Sequence, residues 1–268
     1  MIRAAVLGSP ISHSLSPALH NAAYKHLGIA GNYSAIEVTN EQLSQFVRDA
    51  DSSWTGFSLT MPLKEEVLSI ADEVEELAAQ IDSANTLIRT PQGWRASTTD
   101  VNGFRQALKF HGVSDWKHSV IIGSGATARA AAAALDGPGR LISVIHRNPQ
   151  RCESMLKAAP LSEVIFLEWE SNLPMADITI NTTPAFVADS FVGRLPKSVG
   201  GLFFEALYNP WPTSILAAWR DGGGAVIDGL DLLVHQAIDQ IALMSGLPID
   251  REEYVPILRK AGLAALNF

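Results

Sequence analysis

Two charged residues stand where the chain changes element: a lysine just past a strand, where a helix start does not favour a cation, and an aspartate that can serve as a helix cap, an acid or a base. Lys64 follows Gly56-Phe-Ser-Leu-Thr60, which reads as a short strand, and then Met61-Pro62-Leu63, where the proline marks a helix start. The spacing predicts Lys64 in the first turn of that helix. A cation there opposes the helix dipole and costs the fold a little; the alternative is a surface lysine paired with a neighbouring glutamate. Asp100 closes Ser97-Thr-Thr-Asp100 just ahead of a helix over 101–110, and taken singly it reads as a helix cap. Asn85 and Thr99 flank the same connection and are expected, with Asp100, near a cleft. Ser14 and Ser16 lie on a loop entering another helix, with Ser16 at the N-cap, Pro17 at N1 and Gly28 as the stop. Capping alone accounts for Ser16, while two hydroxyls beside free backbone N–H groups would also suit a carboxylate.

Phosphate binding is the second chemistry. Val120-Ile-Ile122 ends at Gly123-Ser124-Gly125-Ala126-Thr127-Ala128, and alanines continue to Leu135, which reads as strand, tight turn and helix. Gly123, Gly125 and Ala128 match G-x-G-x-x-A, small residues that let a pyrophosphate approach the backbone and the helix N-terminus hold it. The next strand, Leu141-Ile-Ser-Val-Ile145, ends in His146-Arg147-Asn148, with Arg151 one helical turn further. No carboxylate stands there for ribose hydroxyls, whereas the planar charged fork of Arg147 suits a 2′-phosphate and Arg151 is a second donor. The expected cofactor is NADP(H) rather than NAD(H); two solvated surface arginines are the alternative.

These groups need a scaffold, and 268 residues at 47% hydrophobic content can bury a large core in one or two domains. Strands are predicted over 3–7, 32–38 and 56–60, a hairpin over 83–89 and 93–96, and helices over 41–49, 74–79 and 101–110. Beyond the glycine turn come a strand at 177–180 with Asn181-Thr182-Thr183-Pro184 as its exit loop, and strands at 202–205 and 225–227. A long amphipathic helix from Leu230 to Gly246 and a last one over about 252–265 finish the chain. Strands alternating with helices predict an α/β protein, with ligands at the carboxyl ends of the strands. A net charge of −8 argues against a generic nucleic-acid or anionic-membrane surface. No apolar stretch reaches the ~18 residues of a membrane span, and the N-terminal apolar run is too short for a signal peptide, so a cytoplasmic protein is expected. The single Cys152 allows no internal disulfide and reads as a packing residue, and the seven histidines show no metal spacing, so no metal is assigned.

Taken together, Gly8-Ser-Pro-Ile-Ser-His-Ser-Leu-Ser-Pro17, Thr60-Met-Pro-Leu-Lys64, Ser83-Ala-Asn-Thr86, Thr99-Asp100, the glycine loop at 123–129, Asn181-Thr-Thr-Pro184, Tyr208-Asn-Pro-Trp-Pro-Thr213 and Gly229 to Gln236 resemble the shikimate dehydrogenase family over essentially the whole chain. The resemblance implies an N-terminal α/β substrate domain, 1–101 plus the returning C-terminal helices 229–268, and a Rossmann-like doubly wound NADP domain, 102–228. It implies reversible NADPH-dependent reduction of 3-dehydroshikimate to shikimate, with a small-molecule substrate, no nucleic-acid or membrane partner, and a monomer or homodimer. Ser14, Ser16 and Tyr208 are implied at the substrate carboxylate, and Thr60, Asn85, Thr99, Asp100 and Gln236 around the ring hydroxyls. Lys64 and Asp100 form the implied catalytic pair, Lys64 as acid and base with Asp100 orienting it, the alternative being Lys64 as an electrostatic helper only. Cofactor contacts are implied at Gly123, Ser124, Gly125, Ala126, Thr127, Ala128, His146, Arg147, Arg151, Asn181, Thr182, Thr183 and Gly229. Three positions depart from the family pattern: Thr98 stands where Asn is frequent, Glu205 where Asp is common, and Ala126 where glycine is frequent. A quinate/shikimate dehydrogenase working oxidatively, and a non-catalytic NADP-responsive regulator, are the competing readings.

Overall fold

Ile2–Gly8, almost wholly buried, forms strand β1, on which the N-terminal part of the chain is hung. The computed structural model describes residues 1–196 and 198–266. After β1 come α1 (Ser16–His26), β2 (Gly31–Glu37), α2 (Asn40–Asp49), β3 (Gly56–Leu59), α3 (Leu63–Glu66), β4 (Glu73–Val74), α4 (Glu76–Gln80), β5 (Thr86–Thr90), β6 (Gly93–Ser97) and α5 (Asp100–Phe110). Then follow β7 (His118–Ile122), α6 (Ala126–Leu135), β8 (Leu141–His146), α7 (Cys152–Ala158), β9 (Glu163–Glu168), β10 (Ile178–Asn181), β11 (Leu202–Glu205), α8 (Ser214–Asp221), β12 (Ala225–Ile227), α9 (Gly229–Ser245) and α10 (Arg251–Ala265). The chain divides into two compact units, Met1–Gly103 with Leu233–Phe268, and Phe104–Leu232. The divisions fall inside α5 and α9.

In the first unit the strand order is β2-β1-β3-β5-β6-β4. β1, β2 and β3 run parallel, β5 is antiparallel to β3, and β6 antiparallel to β5. One consequence of these directions positions the site. The carboxyl ends of β1 and β3, the start of β5 and the end of β6 all lie at the same edge of the sheet, as the pairs Ser58 with Thr86 and Thr86 with Ser97 record. Beneath that edge Leu7, Phe57, Leu63, Leu87 and Ala96 are sealed from solvent. Each large apolar side chain buried this way contributes about 1.5–3 kcal/mol, so the edge rests on a rigid floor.

The second unit is an all-parallel sheet in the order β12-β11-β10-β7-β8-β9. Its central strands are buried along almost their whole length because both faces are covered. Helix α6 is nearly all alanine and buried from Ala128 to Leu135, so it packs close to the sheet. The strand order reverses between β7 and β10, and in open sheets of this kind ligands enter the crevice outside the carboxyl ends at that reversal.

Two local expectations are corrected, and one strand is added. Ser16 is not the N-cap of α1: Leu15 already has helical backbone, its carbonyl takes the first helical hydrogen bond from Leu19, and the Ser14 hydroxyl accepts from the Ser16 N–H at 3.3 Å. Burial of Leu15 draws the helix start one residue earlier than the serine-proline signal suggests. Val74 is not helical but belongs to the edge strand β4 beside β6, and the helix begins only after Glu75, whose N–H bonds the Ala96 carbonyl. β9 was not anticipated, although Val164-Ile-Phe-Leu167 carries its signal; the flanking glutamates belong to an edge strand.

Candidate active site

At the shared edge of the first sheet, Lys64 Nζ donates to Asp100 Oδ2 at 2.6 Å, and both side chains are largely buried, 15% and 7% exposed. Lys64 is held by its own backbone: Leu63 anchors the single turn α3 in the core, and the Lys64 carbonyl accepts from the Ala84 N–H at 2.8 Å, next to Asn85. Asp100 opens α5, yet its carboxylate accepts no helix N–H among the described residues. The Thr99 carbonyl takes the Gly103 N–H, leaving the Asp100 oxygens to Lys64 and to Asn85 Nδ2 at 2.8 Å. Reading Asp100 as a cap is thereby corrected: it faces two donors on other elements.

Asn85 is the hub. Its Nδ2 also donates to Thr99 Oγ1 at 2.9 Å and Gln236 Oε1 at 3.1 Å, and its Oδ1 accepts from the Thr99 N–H and the Thr86 hydroxyl. Asn85, Thr99, Asp100 and Gln236 are each at most 7% exposed. Three acceptors thus compete for two amide hydrogens, which leaves acceptor capacity open to donors arriving from outside, such as hydroxyl groups. Thr60 follows β3 at the same edge, and the loop with Ser14 and Ser16 follows β1 there. The Ser16 hydroxyl, on a residue only 5% exposed, makes no hydrogen bond among the described residues.

The second unit assembles its own constellation at the β7–β10 reversal. Gly123 turns at φ +115°, and a Cβ there would stand 2.5 Å from Thr182 Oγ1, so only glycine permits the turn against the β10 exit loop. Gly125 precedes α6, whose first turn has no side-chain cap, and the Arg151 guanidinium comes within 3.1 Å of where a Cβ on Gly125 would be. Ser124, Ala126, Thr127 and Ala128 complete that turn, with Ala128 fully buried against the sheet. An uncapped helix start beside a guanidinium is a cradle for an anion, and it fits a dinucleotide pyrophosphate. Arg147 is exposed beyond β8 with its guanidinium 4.9 Å from the centre of the Trp169 ring.

Other residues named from the sequence are turned elsewhere. The Asn181 amide is spent inside the fold, donating to both Glu205 oxygens at 3.0 Å and accepting from Thr183 N and Oγ1, while Thr182 Oγ1 donates to the Ile122 carbonyl. His146 stands edge-on to Phe166, with Nε2 3.7 Å from the half-buried Cys152 thiol. Burial pushes that thiol up, away from thiolate chemistry. A Cβ on Gly229 would collide with the Leu207 carbonyl at 2.2 Å, so α9 starts hard against the loop that carries Tyr208.

Residues 6–87 match the family model described as the shikimate dehydrogenase substrate binding domain. The chain is 34% identical to the shikimate dehydrogenase (NADP(+)) of Methanothrix thermoacetophila over 98% of this chain and 97% of that one. It belongs to the shikimate dehydrogenase family. Two solved structures extend the likeness. Shikimate dehydrogenase from Mycobacterium tuberculosis matches with 38% identity and a TM-score of 0.87, covering 96% of this chain and 99% of that one. Shikimate 5-dehydrogenase from Thermus thermophilus, in complex with NADP(H) and shikimate, matches with 30% identity and a TM-score of 0.83, covering 97% and 100%.

The departures from the shikimate dehydrogenase pattern now have places. Thr98 is buried, and its hydroxyl has no partner among the described residues. Glu205 is fully buried and accepts from Asn181, from Thr213 Oγ1 at 2.7 Å and from the Leu207 N–H at 3.1 Å. Burial raises its carboxyl above the usual range, with those hydrogen bonds opposing. Sequence reasoning missed Ser58, Thr86 and Gln240, which stand behind Asn85. Gln240 was findable, being four residues after Gln236 and so on the same face of a helix.

Proposed function

We propose that this chain catalyses the reversible reaction of shikimate with NADP⁺ to give 3-dehydroshikimate, NADPH and a proton, in the route to aromatic amino acids. The observation that carries the reading is the largely buried Lys64–Asp100 pair, with Asn85 beside it, at one edge of the first sheet. Bound NADP(H) would supply the hydride chemistry, as acceptor from the carbinol carbon or donor to the ketone. Lys64 takes the hydroxyl proton during oxidation and gives it back to the developing alkoxide during reduction, and Asp100 holds the lysine for both. Asn85, Thr60, Thr99 and Gln236 bind the ring hydroxyls; Ser14, Ser16 and Tyr208 bind the carboxylate. Gly123 to Ala128 receive the pyrophosphate, Thr182 and Thr183 back the glycine turn, and Arg147 with Arg151 take the 2′-phosphate. His146, Asn181 and Gly229 shape the walls of the cofactor site.

The first unit with its returning helices is the substrate domain and the second the NADP domain, in a cytoplasmic protein acting as a monomer or homodimer with no nucleic-acid or membrane partner. Initial rates with shikimate and quinate, each with NADP⁺ and NAD⁺, test the assignment. Shikimate with NADP⁺ is expected to exceed the other three pairs in kcat/KM by about 10²-fold or more, as expected where a buried site pairs with specific polar groups. Preference for quinate with NAD⁺, or absence of turnover, would overturn it.

A further inference from the structure

We propose that Gln240, acting through Thr86, is a positioning residue that decides which end of the Asn85 side-chain amide faces Asp100. The inference rests on the reading of Lys64 and Asp100 as the catalytic pair with Asn85 as a substrate contact. The two ends of an amide have nearly the same shape, so packing does not choose between them; hydrogen-bonding partners do. With Nδ2 toward Asp100 Oδ1, at 2.8 Å, the contact is donor to carboxylate. Reversed, two oxygens would meet there, and the same end would offer the substrate an acceptor in place of a donor.

Besides a longer contact from the Thr99 hydroxyl, at 3.3 Å, two donors hold the opposite end. The Thr99 N–H is fixed by the backbone, at 2.8 Å from Asn85 Oδ1. The other is the Thr86 hydroxyl, at 2.9 Å, and a hydroxyl can rotate. Gln240 removes that freedom: its Nε2 donates to Thr86 Oγ1 at 3.0 Å, so the hydroxyl hydrogen must point elsewhere, and Asn85 Oδ1 is there to take it. The same Nε2 donates to the Asn85 main-chain carbonyl at 3.1 Å, so one amide grips Asn85 from both sides.

Gln240 is itself oriented. Its Oε1 accepts from Ser58 Oγ at 2.8 Å, and Ser58 Oγ accepts from the Tyr33 hydroxyl at 2.6 Å. Tyr33, Ser58, Asn85, Thr86 and Gln240 are all 4% exposed or less, and His20 stacks on Tyr33 at 3.9 Å to close the far end. In such a dry chain each hydrogen bond fixes the next, because an unmade one is costly. Neither Gln240 nor Thr86 bonds Lys64 or Asp100, so both act through Asn85.

The test uses Thr86→Val, Thr86→Ser, Gln240→Met and the Thr86→Val/Gln240→Met double variant, with KM measured separately for shikimate and NADP⁺. Thr86→Val and Gln240→Met are each expected to raise the shikimate KM about tenfold, the scale of one buried polar group left unpaired. The NADP⁺ KM stays within about twofold, Thr86→Ser restores the shikimate KM, and the double variant is no worse than the worse single one, because both lie on one path. Merely structural damage would lower the melting temperature and the active fraction without separating the two KM values. An unchanged shikimate KM in Thr86→Val, or effects that multiply in the double variant, would overturn the proposal. Should Gln240→Met fail to fold, the Thr86 pair still decides. A wild-type enzyme inert toward shikimate strikes the functional reading, whereas an active wild type with a silent Thr86→Val strikes the relay alone.

Discussion

An ammonium held 2.6 Å from a carboxylate, both largely out of water, is an arrangement a fold does not keep for stability. Replacing such a pair by apolar side chains is often neutral or stabilising, while removing one partner costs about 3–5 kcal/mol. Lys64→Ala is therefore expected to lower the melting temperature and, independently, to cut kcat by about 10²-fold or more with a smaller change in shikimate KM. Turnover left unchanged after correction for folded protein would remove Lys64 from the chemistry. Arg147→Ala tests the other end of the proposed reaction: the NADP⁺ KM should rise about tenfold or more while that for NAD⁺ stays put, because only NADP⁺ carries the 2′-phosphate assigned to this guanidinium. Lys64, Asp100 and Asn85 were legible in the sequence because their motifs are local. Their mutual geometry was not, and neither was the hub role of Asn85, since an amide's partners lie 14, 15 and 151 residues away.

At the scale of elements, the site edge follows from strand direction. β5 and β6 turn back on β3, so residues remote in sequence arrive at one end of one sheet. The glycine turn after β7 belongs to the same logic in the second sheet. Gly123→Ala would place a methyl 2.5 Å from Thr182 Oγ1 in a conformation that side chains rarely adopt. It is expected to weaken NADP⁺ binding at least tenfold or so, by titration of tryptophan fluorescence, while shikimate binding persists. Undiminished NADP⁺ affinity would mean that this turn is not the cradle. Periodicity and turn residues made most of β1, β3, β7, α6 and α9 readable. It could not supply the exact start of α1, set by burial of Leu15, or the strand state of Val74, set by pairing with Ala96 across the sheet. Both are decided by tertiary partners, which local pattern does not contain.

For the molecule as a whole, the buried titratable groups set the pH at which it holds together. His20 is shut inside the first unit, and desolvation takes its imidazole from 6.5 down to about 3, a contact with Gln240 acting the other way. Above pH 6.5 it is neutral folded or unfolded and costs nothing. As pH falls below 6.5 the unfolded chain binds the proton and the folded one does not, so stability is lost, reaching about 2 kcal/mol at pH 5. Glu205 has the opposite sign: its carboxyl is raised, so its contribution is intact below the usual 4.5 and declines as pH rises toward the folded value. Chemical denaturation at pH 7 and pH 5 should show the net loss, and His20→Phe should flatten it; a slope that survives this substitution would place the acid sensitivity elsewhere.

Because Gln236 and Gln240 are made after the whole of the second unit, a ribosome delivers the last partners of Asn85 only when nearly all of the chain has emerged. A nascent chain stopped at residue 232 should therefore carry residues 1–103 in a protease-sensitive state, whatever the intervening unit has achieved by then. The part of the chain synthesised first thus receives from the part synthesised last the hydrogen bonds that complete its site.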